Sequence, residues 1–419
     1  MKNKIDKILA EEIKDSRGNP TIKVTVRSGA KLGSFSVPSG ASTGSHEAHE
    51  LRDSAPEQAR YGASPDIKGG MKKAIWNVEN VIASALIGQD IFNQKKIDEM
   101  MIKLDGTPNK DNLGGNAMIG VSIACAKTAA KIANQEVFQY LRTLAEIKPS
   151  RPTPYLFMNL IEGGKHANNG LAFQEYHIVP NTEDIKEAVA IGEKIQNTLE
   201  EIIMKDLGNE SVVLGDEGGF APKTIDIKKP LVYLSEAIKR NNLKDKVRLA
   251  LDVAASSFFD NNLYKVSGKN ISKEELADVY DSLIKEFNLL SIEDPFNEED
   301  FASFGKLKKQ HQNLLVVGDD LTVSNSTLLK KAIKNNSINA MIIKPNQIGT
   351  LSETLGVMRL GREKNIELIV SHRGEETNDD FIADLAFAFN CFGLKSGSTR
   401  KSERMVKYNR LIEITNLNK

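Results

Sequence analysis

Two rhythms of apolar and polar positions divide the chain. Up to about residue 140, alternation over Ile5–Ile13 and Thr21–Val26 predicts two half-buried strands. The turn residues Asp15-Ser16-Arg17-Gly18-Asn19-Pro20 lie between them, so the pair reads as a hairpin or meander. A third strand-like run, Ser34–Val37, enters Pro38-Ser39-Gly40-Ala41-Ser42-Thr43-Gly44. Helical spacing follows around 71–87, 95–104 and 115–144, the last rich in alanine at Ala124, Ala126, Ala129 and Ala130. The expectation is an α+β domain over residues 1–140.

After residue 150, short continuous apolar runs alternate with amphipathic helical stretches. Five runs end in a polar or charged residue: Asp252, Glu293, Asp319, Lys344 and His372. The intervals between these are 41, 26, 25 and 28 residues, which suits successive βα units. Continuous apolar runs are what strands buried on both faces require. The expectation is a TIM-type α/β barrel over residues 141–419. No Gly/Ser-rich or proline-rich linker separates the halves, so close packing between them is expected.

In such a barrel the C-terminal strand ends meet at one mouth, so residues far apart in sequence become neighbours. Asp252, Glu293 and Asp319 would converge there. Three carboxylates in one mouth need a cation to stay ionised. Hard oxygen donors select Mg2+, which keeps positions open for substrate. Lys344 would lie alongside, and a lysine near a divalent cation has its pKa lowered towards that of a usable base. A base and metal charge together suit proton removal next to a carboxylate, because the C–H bond is too weakly acidic for a base alone.

Composition narrows the reading. The 419 residues carry 56 basic and 56 acidic side chains, so no net field favours nucleic acid or an anionic membrane. The two cysteines, Cys125 and Cys391, sit in apolar stretches without metal or disulfide spacing and read as buried small hydrophobes. The charged start shows no signal peptide, and no stretch approaches the ~18 apolar residues of a membrane span. A cytoplasmic location is the expectation.

A series of motifs in order along the chain carries a resemblance. It includes Asp15-Ser16-Arg17-Gly18-Asn19-Pro20-Thr21, Val37-Pro38-Ser39-Gly40-Ala41-Ser42-Thr43-Gly44, Leu104-Asp105-Gly106-Thr107 and Leu113-Gly114-Gly115-Asn116-Ala117. It continues with Gln174-Glu175, Gly215-Asp216-Glu217-Gly218-Gly219-Phe220-Ala221-Pro222, Ser291-Ile292-Glu293-Asp294-Pro295 and Gly318-Asp319-Asp320-Leu321-Thr322-Val323. Lys344-Pro345-Asn346-Gln347-Ile348-Gly349-Thr350, Ser371-His372-Arg373 and Ser402-Glu403-Arg404 complete it. The series resembles the enolases, whose superfamily is itself a described example of a Lys or His base working with Mg2+. The resemblance implies reversible dehydration of 2-phosphoglycerate to phosphoenolpyruvate in glycolysis and gluconeogenesis, with two Mg2+ per site, the second arriving with substrate. It implies that Asp252, Glu293 and Asp319 hold the first Mg2+ and that Ser42 joins the second. Lys344 matches the base for the C2 proton. Glu217 matches the acid for the C3 hydroxyl, with Glu175 beside it. His372 belongs to the catalytic set, and His166 matches a histidine on a closing loop. Gln174, Arg373 and Lys395 match substrate contacts, Arg373 at phosphate and Lys395 at carboxylate. Glu175 and Glu217 are expected to raise one another's pKa, so that one keeps a proton for the leaving group.

Gly374-Glu375 departs from the family's usual Ser-Gly. A hydroxyl donor is lost, worth about 0.5–1.5 kcal/mol, and a carboxylate arrives beside a phosphate-binding arginine. The backbone N–H of Gly374 is the candidate replacement donor. Two alternatives therefore stay open: a superfamily lyase for another carboxylate substrate, and a non-catalytic scaffold. Lys23 and Glu413 appear with signs reversed from a charge pair that joins subunits in the family, which suggests a pair across a homodimer or larger homo-oligomer. His46, His49 and His311 have no partner pattern and read as surface or core residues, and His177, which follows Gln174-Glu175, reads as packing rather than catalysis.

Overall fold

The computed structural model describes residues 3–40, 44–54 and 68–417. Strands β1 (Lys7–Lys14), β2 (Pro20–Ser28) and β3 (Lys31–Ser36) form an antiparallel sheet in that order. Alternation works as expected: Ile22, Val24 and Val26 on β2 are all buried. They face helix Gly115–Ile132, and the approach is close. A Cβ added to Gly33 would lie 2.4 Å from the backbone N of Thr128. The helix expected over 71–87 spans 72–86 and contains a π-helical segment at Asn77–Ile82. The single helix expected over 115–144 is two, Gly115–Ile132 and Val137–Leu144. Asn134 sits between them at φ +55°, a left-handed conformation that asparagine tolerates and a helix cannot continue through. The second helix restarts with a capping box between Glu136 and Gln139.

The larger unit is a closed barrel. Its strands are β4 (Tyr155–Glu162), β5 (Glu175–Pro180), β6 (Val247–Asp252), β10 (Ser291–Glu293), β11 (Leu315–Gly318), β12 (Ala340–Ile343), β13 (Glu367–Ser371) and β14 (Gly393–Lys395). A small sheet of β7 (Phe259–Asp260), β8 (Leu263–Val266) and β9 (Lys269–Ile271) interrupts the series after β6. Phe157, Val179, Ala250, Val317, Ala340, Ile342 and Ile369 form one apolar cluster contributed by the barrel strands. All barrel neighbours are parallel except β5, which runs antiparallel to both β4 and β6. That reversal brings the first residue of β5 to the mouth where the other strands end.

The N-terminal unit is joined to the mouth. Ser39 and Glu375 exchange backbone bonds of 2.9 and 3.1 Å, and Ala48 N–H donates to the Gln347 carbonyl at 2.8 Å. Asn346 Nδ2 donates to the Pro38 carbonyl at 2.9 Å. Lys23 pairs with Glu11 at 3.2 Å and Glu413 with Arg410 at 3.0 Å, both within the chain. Cys125 and Cys391 are buried free thiols. Among the described residues, no helix is long and apolar enough to cross a membrane.

Candidate active site

The register of the strands builds a row of carboxylates. Glu162 opposes Glu175, Glu175 opposes Asp252, and Asp252 opposes Glu293. Asp319 follows β11 directly. Lys395, the last residue of β14, reaches into this row. Its Nζ lies 2.8 Å from Asp252, 3.0 Å from Glu293 and 3.2 Å from Glu175. Lys344, one residue past β12, forms an ion pair with Asp319, whose other oxygen accepts from Gln347 Nε2 at 3.0 Å. Gln174 lies at the same rim, its Nε2 3.5 Å from Asp252.

These charges are crowded. Burial first, then Asp252, pushes Glu293 well above the usual carboxylate range. Burial also raises Asp252, against the pull of Lys395. Burial opposes the charge on Asp319 too, but Lys344 outweighs it and holds Asp319 low. The trio is a set of hard oxygen donors short of positive charge, and this fits a divalent cation. Asp294, Asp319 and Asp320 also each offer an oxygen within 4.8 Å of the other two.

A second group lies next to the first. His166, Glu175 and Glu217 each present a polar atom within 4.8 Å of the others. His166 Nε2 is 3.5 Å from Glu175 and 3.7 Å from Glu217. Burial disfavours its charge, yet Glu217 and Glu175 together raise it to about 9. His372 behaves differently. Its Nδ1 is 2.6 Å from Arg404, a group that can only donate, so Nδ1 accepts and the proton sits on Nε2. That Nε2 faces Glu217 at 3.3 Å. Burial, with Arg404, lowers the His372 pKa and keeps the ring neutral.

Glu175 raises Glu217 as expected, but the expected outcome, that one of the pair keeps a proton, does not hold in this structure. Burial and Glu175 oppose the charge on Glu217, but His372 and His166 outweigh them and hold it low. Glu175 is likewise held well below its usual range, against burial, by Lys395, His166 and His177. The repulsion between the two carboxylates is still present, but His166 and His372 at Glu217, and Lys395 and His166 at Glu175, outweigh it.

Arg373 follows β13 at the same mouth, where its charge acts on Lys344 and Asp319. Its Nη2 pairs with Glu47 at 2.9 Å and its Nη1 donates to Asn346 at 2.9 Å. Glu375 corrects an expectation: its carboxylate does not oppose this arginine. It is buried, with Lys68 at 2.5 Å and Arg17 at 3.5 Å. The carbonyl of Gly374 accepts from Arg404 Nη2 at 2.8 Å. Ser42 lies outside the described residues.

Residues 150–417 match the family described as enolase, C-terminal TIM barrel domain, and residues 5–141 match enolase, N-terminal domain. The chain belongs to the enolase family. The enolase of Methanocaldococcus jannaschii is 44% identical over 412 residues, which is 98% of this chain and 94% of that protein. The enolases of Methanosarcina barkeri and Thermococcus kodakarensis are 43% and 42% identical, each over 98% of this chain and 94% of their own length. Membership in the enolase family implies a divalent metal and a small-molecule substrate.

Two members of this enolase site, Glu47 and Asn159, carry no sequence signal of their own. Glu47 became visible only as the partner of Arg373, and Asn159 as a donor to Glu217 at 3.2 Å. His177, expected as a packing residue, places its Nε2 2.8 Å from Glu175. The signal existed: His177 is two residues past Glu175, so on a strand both point to one face.

Proposed function

We propose that the chain catalyses the reversible dehydration of 2-phosphoglycerate to phosphoenolpyruvate, using two Mg2+ per site. The observation that carries this reading is the opposition of Lys344 to a converging trio of buried carboxylates, beside a separate acid and histidine cluster. Asp252, Glu293 and Asp319 would hold the first Mg2+, and Ser42 would join the second. When bound, the cations supply positive charge to the substrate carboxylate, which makes the C2 proton removable.

The chain's own residues do the rest. Arg373 offers a planar fork for phosphate, with the Gly374 backbone beside it. Lys395 and Gln174 orient the carboxylate end. Lys344 takes the C2 proton. Asp319 now holds its amine above the ordinary lysine value, against burial and the charges of Arg373 and Lys395. Once Asp319 no longer neutralises it, those opposing influences favour the free amine. Glu217, ionised in this structure, takes up a proton before giving it to the departing C3 hydroxyl, and the protonated His166, 3.7 Å away, is a donor placed beside it. Glu175 and His166 set the charge around it, and His372 supports it through Nε2–H. The turn of Glu375 towards Lys68 and Arg17 removes the main support for a different carboxylate substrate. The same proposal includes two domains meeting near residues 140–141, a homodimer or larger homo-oligomer, and a cytoplasmic location.

The conjugated product absorbs in the ultraviolet and the substrate barely does. Purified protein with 2-phosphoglycerate and Mg2+ should give rising absorbance, which EDTA abolishes and added Mg2+ restores. A flat trace with Mg2+ present would overturn the reading. Lys344→Ala should abolish C2 proton exchange with solvent, whereas Glu217→Gln should spare exchange and block dehydration. The reverse pattern would exchange the base and acid assignments.

A further inference from the structure

Glu162 ends β4 with a fully buried carboxyl that none of the proposed steps uses. Its oxygens face backbone donors of the loop that carries Glu217. Oε1 accepts from Gly219 N–H at 2.6 Å and from Glu217 N–H at 3.1 Å, and Oε2 lies 3.2 Å from the same Glu217 nitrogen. Two glycines make the room. A Cβ on Gly215 would lie 2.2 Å from Oε2, and one on Gly219 would lie 3.0 Å from Oε1. The main chain of Glu162 is fastened as well. Its N–H donates to Phe220 O at 2.8 Å, and its carbonyl accepts from Asn169 Nδ2 at 2.7 Å. Glu162 therefore ties the barrel wall to the acid loop and to the His166 loop together.

We propose that Glu162 is a positioning residue for Glu217, gripping the backbone N–H groups of Glu217 and Gly219 and so setting where the Glu217 carboxyl enters the mouth. This rests on Glu217 acting in the reaction. The ionisable groups around Glu162 are Glu217 on the gripped loop, His166 on the neighbouring loop and Glu175 opposite on β5. Asp216, beside Glu217, is paired with Arg17. Burial and the Glu217 charge raise Glu162 to about 8. At neutral pH the grip is therefore made by a mainly uncharged carboxyl, which adds no third negative charge against Glu217.

The test uses the full-length, Mg2+-loaded protein and two readouts, C2 proton exchange into heavy water and net dehydration, with Glu217→Gln as the reference. Glu162→Ala removes the grip. It should lower the kcat of dehydration by about tenfold or more and reproduce the Glu217→Gln balance between the two readouts, with KM changed less than about twofold. Glu162→Gln keeps an acceptor oxygen and should recover dehydration to within about threefold of the wild type at pH 7. The proposal is overturned if Glu162→Ala dehydrates like the wild type or departs from the Glu217→Gln balance. It is also overturned if Glu162→Gln is as impaired as Glu162→Ala. Should Glu162→Ala not fold, Glu162→Asp, one methylene too short to reach, carries the same expectations. Failure of the acid assignment is read separately, from Glu217→Gln itself.

Discussion

The burial of Glu162 has a thermodynamic consequence with a definite sign. Its folded pKa of about 8 lies above the ordinary carboxyl value of 4.5. Between those values the folded chain holds a proton that the unfolded chain releases, so stability falls as pH rises, and the loss levels off above 8. Glu162→Gln has no such proton. Its stability relative to wild type should be nearly constant well below pH 4.5 and rise by about 1.4 kcal/mol per pH unit at most between there and pH 8. Denaturant unfolding at pH 5, 6.5 and 8 measures this. Parallel pH dependences for the two proteins would mean that Glu162 is ionised in the fold. Arg404 plays the complementary part for His372. It is wholly buried, bonds the ring at Nδ1, and also donates to the carbonyl of Arg373 at 2.6 Å. One side chain thus fixes both the His372 tautomer and the backbone that carries Arg373.

At the scale of elements, Asp98 joins the two units. It lies on helix Gln94–Asp105 and accepts from Gln94 Nε2 at 3.1 Å and Ser122 Oγ at 2.6 Å. It also takes the N–H and hydroxyl of Ser352, at 2.9 and 2.6 Å, in the first turn of helix Leu351–Glu363. Removing it strands the Ser122 and Ser352 donors, while Gln94 Nε2 keeps the Ser122 carbonyl at 3.1 Å. Asp98→Ala should cost about 3 kcal/mol of unfolding free energy. A loss under 1 kcal/mol in denaturant unfolding would mean that water replaces the carboxylate. How much of the architecture is legible in the sequence also depends on element length and direction. The apolar runs leading to Asp252, Glu293, Asp319, Lys344 and His372 announce five strands, because buried parallel strands need continuous apolar stretches. β14 has only three residues and follows Phe389-Asn390-Cys391-Phe392 too closely to stand out. The reversal of β5 is invisible to periodicity, since a strand reads the same in either direction, yet it is what sets Glu175 against Asp252. Glu162 and Glu47 are illegible in the sequence for a related reason. Their partners are backbone groups or residues hundreds of positions away, and no local spacing encodes such contacts.

Across the whole molecule, the barrel mouth concentrates Glu175, Asp252, Glu293 and Asp319 against Lys395 and Lys344. A cation bound there meets charge that the fold itself leaves only partly compensated. It binds the folded chain alone, because the carboxylates come together only through strand register. At a hundredfold excess over its Kd, Mg2+ should therefore add about 2.7 kcal/mol to the unfolding free energy. Glu293→Gln separates the two contributions. Without metal it removes a carboxylate that burial and Asp252 push well above its ordinary range, while Asp252 and Glu175 still hold Lys395. The metal-free variant should therefore melt no lower than the metal-free wild type. With Mg2+ it lacks one oxygen ligand of the proposed three, so its rise in Tm should fall to less than about half that of the wild type. Thermal melts of both proteins, with EDTA and across an Mg2+ titration, give the four values needed. An undiminished Mg2+ shift in Glu293→Gln would mean that the cation is held elsewhere in the mouth, with Asp294, Asp319 and Asp320 the next donors to alter.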